Sequence, residues 1–96
     1  MKKLFKIKSE VWIWPGLGGW HFVSLDRKLN PEIEKNTKKY GSGFRKIRVT
    51  VGKTTWDTAL FPYKKEKVYL ISIKKDVRKK EGIVNGDKIS VEFKFI

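Results

Sequence analysis

Cysteine is absent from this chain of 96 residues, and histidine occurs only once, as His21. Without thiols the protein cannot form a disulfide scaffold, a thiolate zinc site, an iron–sulfur cluster or a cysteine nucleophile. A single imidazole also leaves little from which to build a transition-metal site. We therefore expect neither a metal nor a cofactor, and we expect His21 to be hydrogen-bonded and buried rather than catalytic.

Acidic residues and long apolar runs are scarce as well. Only 10 Asp and Glu oppose 23 Lys and Arg, which gives a formal net charge of +13. No apolar run approaches the roughly 18 residues of a membrane span. The N-terminus, Met1-Lys2-Lys3-Leu4, leads into charge rather than into a signal-peptide core. These features predict a cytoplasmic protein with no membrane span.

The basic excess is the most unusual number in the composition, and it has two explanations. A bias toward lysine codons would leave a solvated basic surface with no dedicated partner. Acidic residues normally keep pace with lysine in lysine-rich surfaces, and here they do not. The excess therefore favours a polyanionic partner, DNA or RNA, or more weakly an anionic membrane.

Alternating apolar and polar residues predict a mainly β domain with two short helices, occupying residues 1–96 as a single unit. The first helix is expected to begin at Asn30 as its N-cap and to end at glycines 41 and 43, and the second to end at Gly82. Six strands are predicted, at residues 4–14, 20–25, 44–51, 54–60, 68–74 and 88–95.

The same order of elements, strand-strand-helix-strand, occurs twice, in halves of about residues 1–51 and 52–96. Residues 23–29 and 71–77 each lead from a strand into a helix. Two such halves are expected to close into a six-stranded barrel with pseudo-twofold symmetry, which removes exposed strand edges. An OB-fold, with five strands, is the alternative.

Three segments carry a resemblance to a known family: Gly-Trp-His-Phe-Val-Ser-Leu at 19–25, Trp-Asp-Thr-Ala-Leu-Phe-Pro at 56–62, and residues 77–89. They resemble an uncharacterised prokaryotic family of small domains, found alone or beside YdeI/OmpD-associated, bacteriocin-protection-type domains. The resemblance implies a double-split β-barrel related to the AbrB/MazE/MraZ-like group, whose AbrB-like members bind DNA as dimers through arginines. The chain departs from the family in having Asp26 where proline is usual and Ala59 where serine is frequent.

Two groups of residues are candidate binding sites. Basic residues at the two equivalent corners of the predicted barrel could contact phosphates of DNA or RNA: Arg27, Lys28, Lys74, Lys75 and Arg78. Aromatic residues near the loops could form a ligand or partner surface instead: Trp20, Phe61 and Tyr63. The first group makes nucleic-acid binding the leading hypothesis, and the second makes a non-enzymatic protein-interaction or small-ligand-binding barrel its alternative. The sequence leaves the oligomeric state open.

Catalysis is not expected. Ser24, His21 and Asp57 could suggest a triad, but Ser24 lies three positions from His21, so the two side chains point to opposite faces of a strand. Trp12 and Trp14 allow two interpretations. They could stack nucleic-acid bases beside the lysines of the first strand, or they could form a satellite core, which is the favoured interpretation.

Overall fold

Seven strands and two short α-helices make up the computed structural model, which describes residues 4–16, 18–37 and 45–96. The mainly β class and the two short helices are confirmed. The strands are β1 (Phe5–Glu10), β2 (Trp12–Ile13), β3 (His21–Ser24), β4 (Arg45–Val51), β5 (Thr54–Tyr63), β6 (Val68–Ser72) and β7 (Lys88–Phe95).

All neighbouring strands pair antiparallel, in the order β1-β7-β4-β5-β6-β3-β2. The two outermost strands of this order, β1 and β2, are consecutive in the chain and separated only by Val11. The two ends of the strand order are therefore joined by consecutive residues of the chain. This brings the ends together, and the sheet forms a nearly closed barrel.

Val11 explains why there are seven strands where six were predicted. The predicted strand 4–14 pairs with β7 up to Glu10 and with β3 from Trp12 onward. Between them, the N–H of Val11 donates to the carbonyl of Asp87, and its carbonyl accepts from the N–H of Gly86, both at 2.8 Å. One predicted strand is therefore divided into two by a change of partner. The double-split description of the barrel remains a prediction.

Strand β5 also changes partner. Residues 54–60 pair with β4, and residues 61–63 pair with β6. The sequence predicted that this strand ends at Leu60, because proline usually interrupts a central strand. Among the described residues, this part of β5 pairs only with β6, and proline is tolerated where a strand pairs on one side, as at the edge of a sheet.

The helical segment after β3 differs from the prediction at its start. A 3₁₀ turn (Arg27–Leu29) precedes α1 (Asn30–Thr37), and the carboxylate of Asp26 accepts from the N–H of Lys28 as its cap. Asn30 is already helical, and its side chain donates to the carbonyl of Lys67 instead. The predicted stop at residues 41–43 lies outside the described residues.

The second helix, α2 (Lys75–Glu81), ends as predicted at Gly82, which has the left-handed conformation of φ 65° and ψ 35°. Neither α1 nor α2 is long and apolar enough to cross a membrane, and the described part of the chain contains no other α-helix.

The barrel interior is filled by the inward residues of the strands together with residues of both helices, Ile33 and Val77 among them. Phe5 and Phe93 stack there with ring centroids 4.8 Å apart. Burying such side chains stabilises the fold by roughly 1.5–3 kcal/mol each. Fully buried members include Val11, Val23, Ile33, Ile47, Val49, Leu60, Ile71, Val77, Val91 and Phe93.

The turn of the β4–β5 hairpin contacts α2 at Gly52. Its φ is +59°, whereas Lys53 has no positive φ, a combination that fits a type II′ turn with glycine in the first central position. The carboxylate of Glu81 packs against Gly52 and accepts hydrogen bonds from the hydroxyl of Thr54 (2.6 Å) and the N–H of Lys53 (3.3 Å). A Cβ at residue 52 would displace this carboxylate.

We expect Gly52→Ala to destabilise the protein more than Gly82→Ala. Both substitutions place alanine at a similar positive φ, which costs about 1–2 kcal/mol, but residue 82 has open space around it. Gly52→Ala should cost roughly 1 kcal/mol more, through the lost bonds of Glu81. Urea unfolding measures the difference, which should become smaller in a Glu81→Ala background. Equal costs in the wild-type background would contradict the proposed role of Glu81.

A cross-strand ion pair lies on the outer face of β4 and β5. Arg48 and Asp57 are directly opposite, with Nε to Oδ1 at 2.8 Å and Nη2 to Oδ2 at 3.2 Å. The hydrogen bonds from Arg48 hold the pKa of Asp57 below its ordinary value, and its positive charge and that of Lys46 add to the effect. The same contact raises the pKa of Arg48.

The pKa of Asp57, measured by NMR titration of its carboxyl carbon, should therefore lie below the ordinary aspartate value and rise in Arg48→Ala. Because the folded-state pKa is the lower one, the stability that this pair contributes is present above the unfolded-state pKa and is lost as the pH falls through the folded-state pKa. Lys94→Ala is the control, since Lys94 faces Arg48 from β7. If the pKa of Asp57 rose more in Lys94→Ala than in Arg48→Ala, Arg48 would not be the main cause of the lowered pKa.

Candidate functional site

Aromatic side chains gather around Phe22 on the β2–β3 hairpin. Trp12 lies directly opposite Phe22 in the strand register, with ring centroids 5.5 Å apart, and Trp14 meets Phe22 edge-on at 5.8 Å. Tyr63, at the end of β5, packs on Trp14 at 5.3 Å. The indole of Trp12 also donates to the hydroxyl of Ser24 at 2.9 Å. The two half-buried tryptophans therefore form the satellite cluster that the sequence favoured.

One side of this cluster is open and forms an apolar cleft of about 240 Å³. All three residues of the predicted ligand or partner surface line this cleft: Trp20, Phe61 and Tyr63. They come from two distant parts of the chain, because residues 61–63 of β5 pair with β6 and β6 pairs with β3. The cleft is lined by Trp14, Trp20, Phe22, Phe61, Pro62, Tyr63 and Leu70.

Trp20 is the most accessible ring of the cleft. It stacks on Phe22 with ring centroids 6.0 Å apart and planes inclined by 17°, and 54% of its surface remains exposed. Its carbonyl accepts from the N–H of Trp14, which closes the glycine-rich loop between β2 and β3. This hydrogen bond fixes the backbone at Trp20, whose side chain presents a large aromatic face to solvent.

A basic cleft of about 200 Å³ also has Trp20 in its lining. It forms where β6 ends and α2 begins, next to the start of β3, because His21 and Ile73 are joined by a backbone hydrogen bond of 2.9 Å. Its cationic side chains are Lys74, Lys75 and Arg78. The full lining is Gly18, Gly19, Trp20, His21, Ser72, Ile73, Lys74, Lys75 and Arg78.

His21 and Arg78 are joined within the basic cleft. Nδ1 of His21 hydrogen-bonds the carbonyl of Gly19, so this nitrogen must carry the proton. Nε2 is then an acceptor, and Nη1 of Arg78 approaches it to 3.4 Å. Arg78 is held further by its Nε, which donates to the carbonyl of Ile73 at 3.1 Å. His21 is hydrogen-bonded as expected, but it is half-buried rather than buried, because it borders a cleft.

The five basic residues predicted as one phosphate-contacting surface are not all brought together. Arg27 and Lys28 follow the end of β3, whereas Lys74 and Lys75 follow the end of β6, and these two strands run antiparallel. The two corners therefore flank opposite ends of the strand pair, separated by the length of residues 21–25, about 13 Å. Arg27 and Lys28 do not line the basic cleft. DNA binding by all five residues stays a prediction.

The residues that could suggest a catalytic triad have other partners. Asp57 is bound to Arg48, and the hydroxyl of Ser24 accepts from the indole of Trp12. His21 contacts Gly19 and Arg78. Each potential acid, base or nucleophile of the triad is thus engaged in a different local interaction.

Sequence reasoning missed part of the apolar cleft. Trp14, Phe22 and Leu70 line it, but alternation alone assigned them to a strand or a satellite core. The available signal was the pair of aromatic residues at spacing two on both sides of the glycine loop, Trp12 and Trp14 before it and Trp20 and Phe22 after it. Such spacing places rings on one face of a hairpin.

Comparison with protein families finds a match over residues 8–93 to the family described as Domain of unknown function (DUF1905). Comparison with curated proteins finds no match. The family match covers all the strands from the middle of β1 to most of β7, and with them both clefts. The chain therefore belongs to the DUF1905 family, whose function is unknown.

Proposed function

We propose that this barrel is a non-enzymatic binding domain whose ligand carries a planar ring next to an anionic group. The observation that carries the proposal is the position of Trp20, which lines both the apolar cleft and the basic cleft. A ligand that spans this side chain meets an aromatic surface on one side and cations on the other. Notably, the proposal joins the two groups of candidate residues that the sequence left as alternatives.

Each cleft suits one part of such a ligand. A planar ring can stack on the open face of Trp20, an interaction worth about 1–3 kcal/mol for a nucleic-acid base. An anionic group can accept charge-assisted hydrogen bonds from Arg78 and from the exposed Lys74 and Lys75. Because Arg78 is already held by Ile73 and His21, its guanidinium loses less freedom on binding than a solvated arginine would.

Binding without chemistry is supported by the partners of the polar side chains. His21 lines the basic cleft, but one of its nitrogens is engaged with a backbone carbonyl and the other faces a guanidinium. A general base needs a free acceptor that reaches the reacting proton. We therefore assign His21 a role in positioning Arg78.

We also propose that the barrel consists of two related halves in a double-split arrangement. The change of partner at Val11 in the first strand has a counterpart after Leu60 in β5, and both residues are fully buried. Trp12 then faces Phe22 on β3, as Phe61 faces Leu70 on β6. In this scheme the aromatic cleft lies where the second parts of the two divided strands come close together.

Thymidine monophosphate serves as a simple probe of the proposed site, because it has one planar ring and one phosphate. We expect it to shift the indole N–H signal of Trp20 in two-dimensional NMR spectra, and to bind more tightly than thymidine, which lacks the anion. Trp20→Ala should weaken binding by about 5- to 150-fold, the equivalent of 1–3 kcal/mol of stacking.

Leu4→Ala is the control for lost exposed apolar surface, since Leu4 is 47% exposed and lies outside both clefts. It should leave the affinity unchanged. Equal affinity for thymidine and its monophosphate would show that the basic cleft plays no part. Equal affinity of Trp20→Ala and the wild-type protein would refute the shared site.

A further inference from the structure

We infer that the natural ligand of this site is a single-stranded nucleic acid and not a free mononucleotide. This inference rests on the proposed function and extends it from a chemical pattern to a class of macromolecule. The observation behind it is that the basic surface continues beyond the basic cleft along α2.

A third depression, which we call the helix-side depression, lies along α2 and the residues that follow it, and has a volume of about 400 Å³. It shares Lys75 and Arg78 with the basic cleft, as the basic cleft shares Trp20 with the apolar cleft. It adds Lys79 and the exposed Val84, which is 62% accessible. The three depressions are therefore consecutive, each joined to the next by side chains that line both.

One nucleotide fills only part of this path. With its base on Trp20 and its phosphate beside Arg78, it leaves the helix-side depression empty. The helix α2 adds about 10 Å to the path. Further phosphates are needed to use Lys79 and the later part of α2, so the occupant that matches the whole surface is a chain of nucleotides.

Charge complementarity along this path is one-sided. Lys74, Lys75, Arg78, Lys79 and Lys80 follow one another in and around α2. Of the two acidic residues of the helix, Glu81 turns toward the β4–β5 hairpin, where Thr54 and Lys53 donate to it. Asp76 is the other acidic residue of the helix, so the five cations of α2 and its approach outnumber the two carboxylates of the helix. A polyanion therefore meets a surface with an excess of positive charge.

The aromatic cleft favours single strands over duplexes. In a duplex the faces of the bases are hidden in the stack, and a protein reaches only their edges and the backbone. Trp20 offers a ring face, which contacts a base only when that base is unpaired. The basic corner at Arg27 and Lys28, which could have widened the surface for a duplex, lies at the opposite end of the β3–β6 pair.

Fluorescence anisotropy with labelled dT12 tests the inference, with a labelled 12-base-pair duplex and unlabelled thymidine monophosphate as comparisons. At about 50 mM salt we expect dT12 to bind at least 100-fold more tightly than the monophosphate and more tightly than the duplex. With about three phosphates contacted, the slope of log affinity against log salt concentration should be near −2 for a single strand.

Two sets of variants separate stacking from charge. Trp20→Ala should weaken dT12 binding at every salt concentration and leave the slope unchanged, because stacking releases no counterions. Changing Lys74, Lys75 and Lys79 together to alanine should remove most of the slope. The charge-matched control changes Lys8, Lys88 and Lys94 to alanine; these are exposed residues of β1 and β7, away from the three depressions, and their loss should have little effect.

The outcomes distinguish this inference from the proposed function. Equal affinity for thymidine monophosphate and dT12 would overturn the inference and leave the proposed function standing, whereas binding of neither probe would overturn both. A duplex or a 12-residue poly-glutamate bound as tightly as dT12, with no effect of Trp20→Ala, would reduce the site to non-specific charge. Equal losses of dT12 affinity in the two lysine triple variants would lead to the same conclusion.

Discussion

The pair of backbone hydrogen bonds at Val11 is the contact on which the barrel depends. Its N–H and carbonyl both bond to the turn at Gly86 and Asp87, in the stretch where the first strand leaves β7 and joins β3. A change of partner leaves backbone groups unpaired unless something else bonds to them, and an unpaired buried group costs about 1–3 kcal/mol. The turn supplies these bonds. Because of it, consecutive residues of the chain form both ends of the sheet, and the barrel is nearly closed.

Closure of the barrel also creates the candidate site. Once the chain has crossed at Val11, β2 lies beside β3, and the rings of Trp12 and Trp14 meet Phe22. The bond from the N–H of Trp14 to the carbonyl of Trp20 then presents Trp20 next to the corner where β6 leads into α2. The apolar and basic clefts thus both include residues of this hairpin, which the barrel supports with a buried apolar core.

The net charge of +13 indicates a binding surface only where the fold holds cations together beside an aromatic ring. Most of the cations lie on the outer surface, where solvent screens them and single contacts are weak. Arg78 differs because Ile73 and His21 fix its direction, and Lys74, Lys75 and Lys79 surround it on one helix and its approach. Restricted cations beside an aromatic face form a recognition surface, whereas dispersed cations mainly raise the encounter rate with any polyanion.

Local patterns in the sequence were sufficient for the elements of the fold, because alternation and turn chemistry act over a few residues. The β class and the end of α2 at Gly82 were accessible in this way, whereas the meeting of Trp20, Phe61 and Tyr63 in one cleft depends on strand pairing. Strand partners were not accessible from local patterns. The division at Val11 and the passage of β5 through Pro62 depend on which strands lie alongside, and no local preference encodes that.

The division between sequence and tertiary structure is clearest in the basic residues. Composition by itself determined that the protein is strongly cationic and has too few thiols and imidazoles for thiolate or multi-histidine metal chemistry. Only the tertiary structure decided that Lys74, Lys75 and Arg78 share a cleft with Trp20, whereas Arg27 and Lys28 do not. The physical reason is that antiparallel pairing of β3 and β6 sends the chain out at opposite ends, so equivalent positions in two similar halves are placed apart.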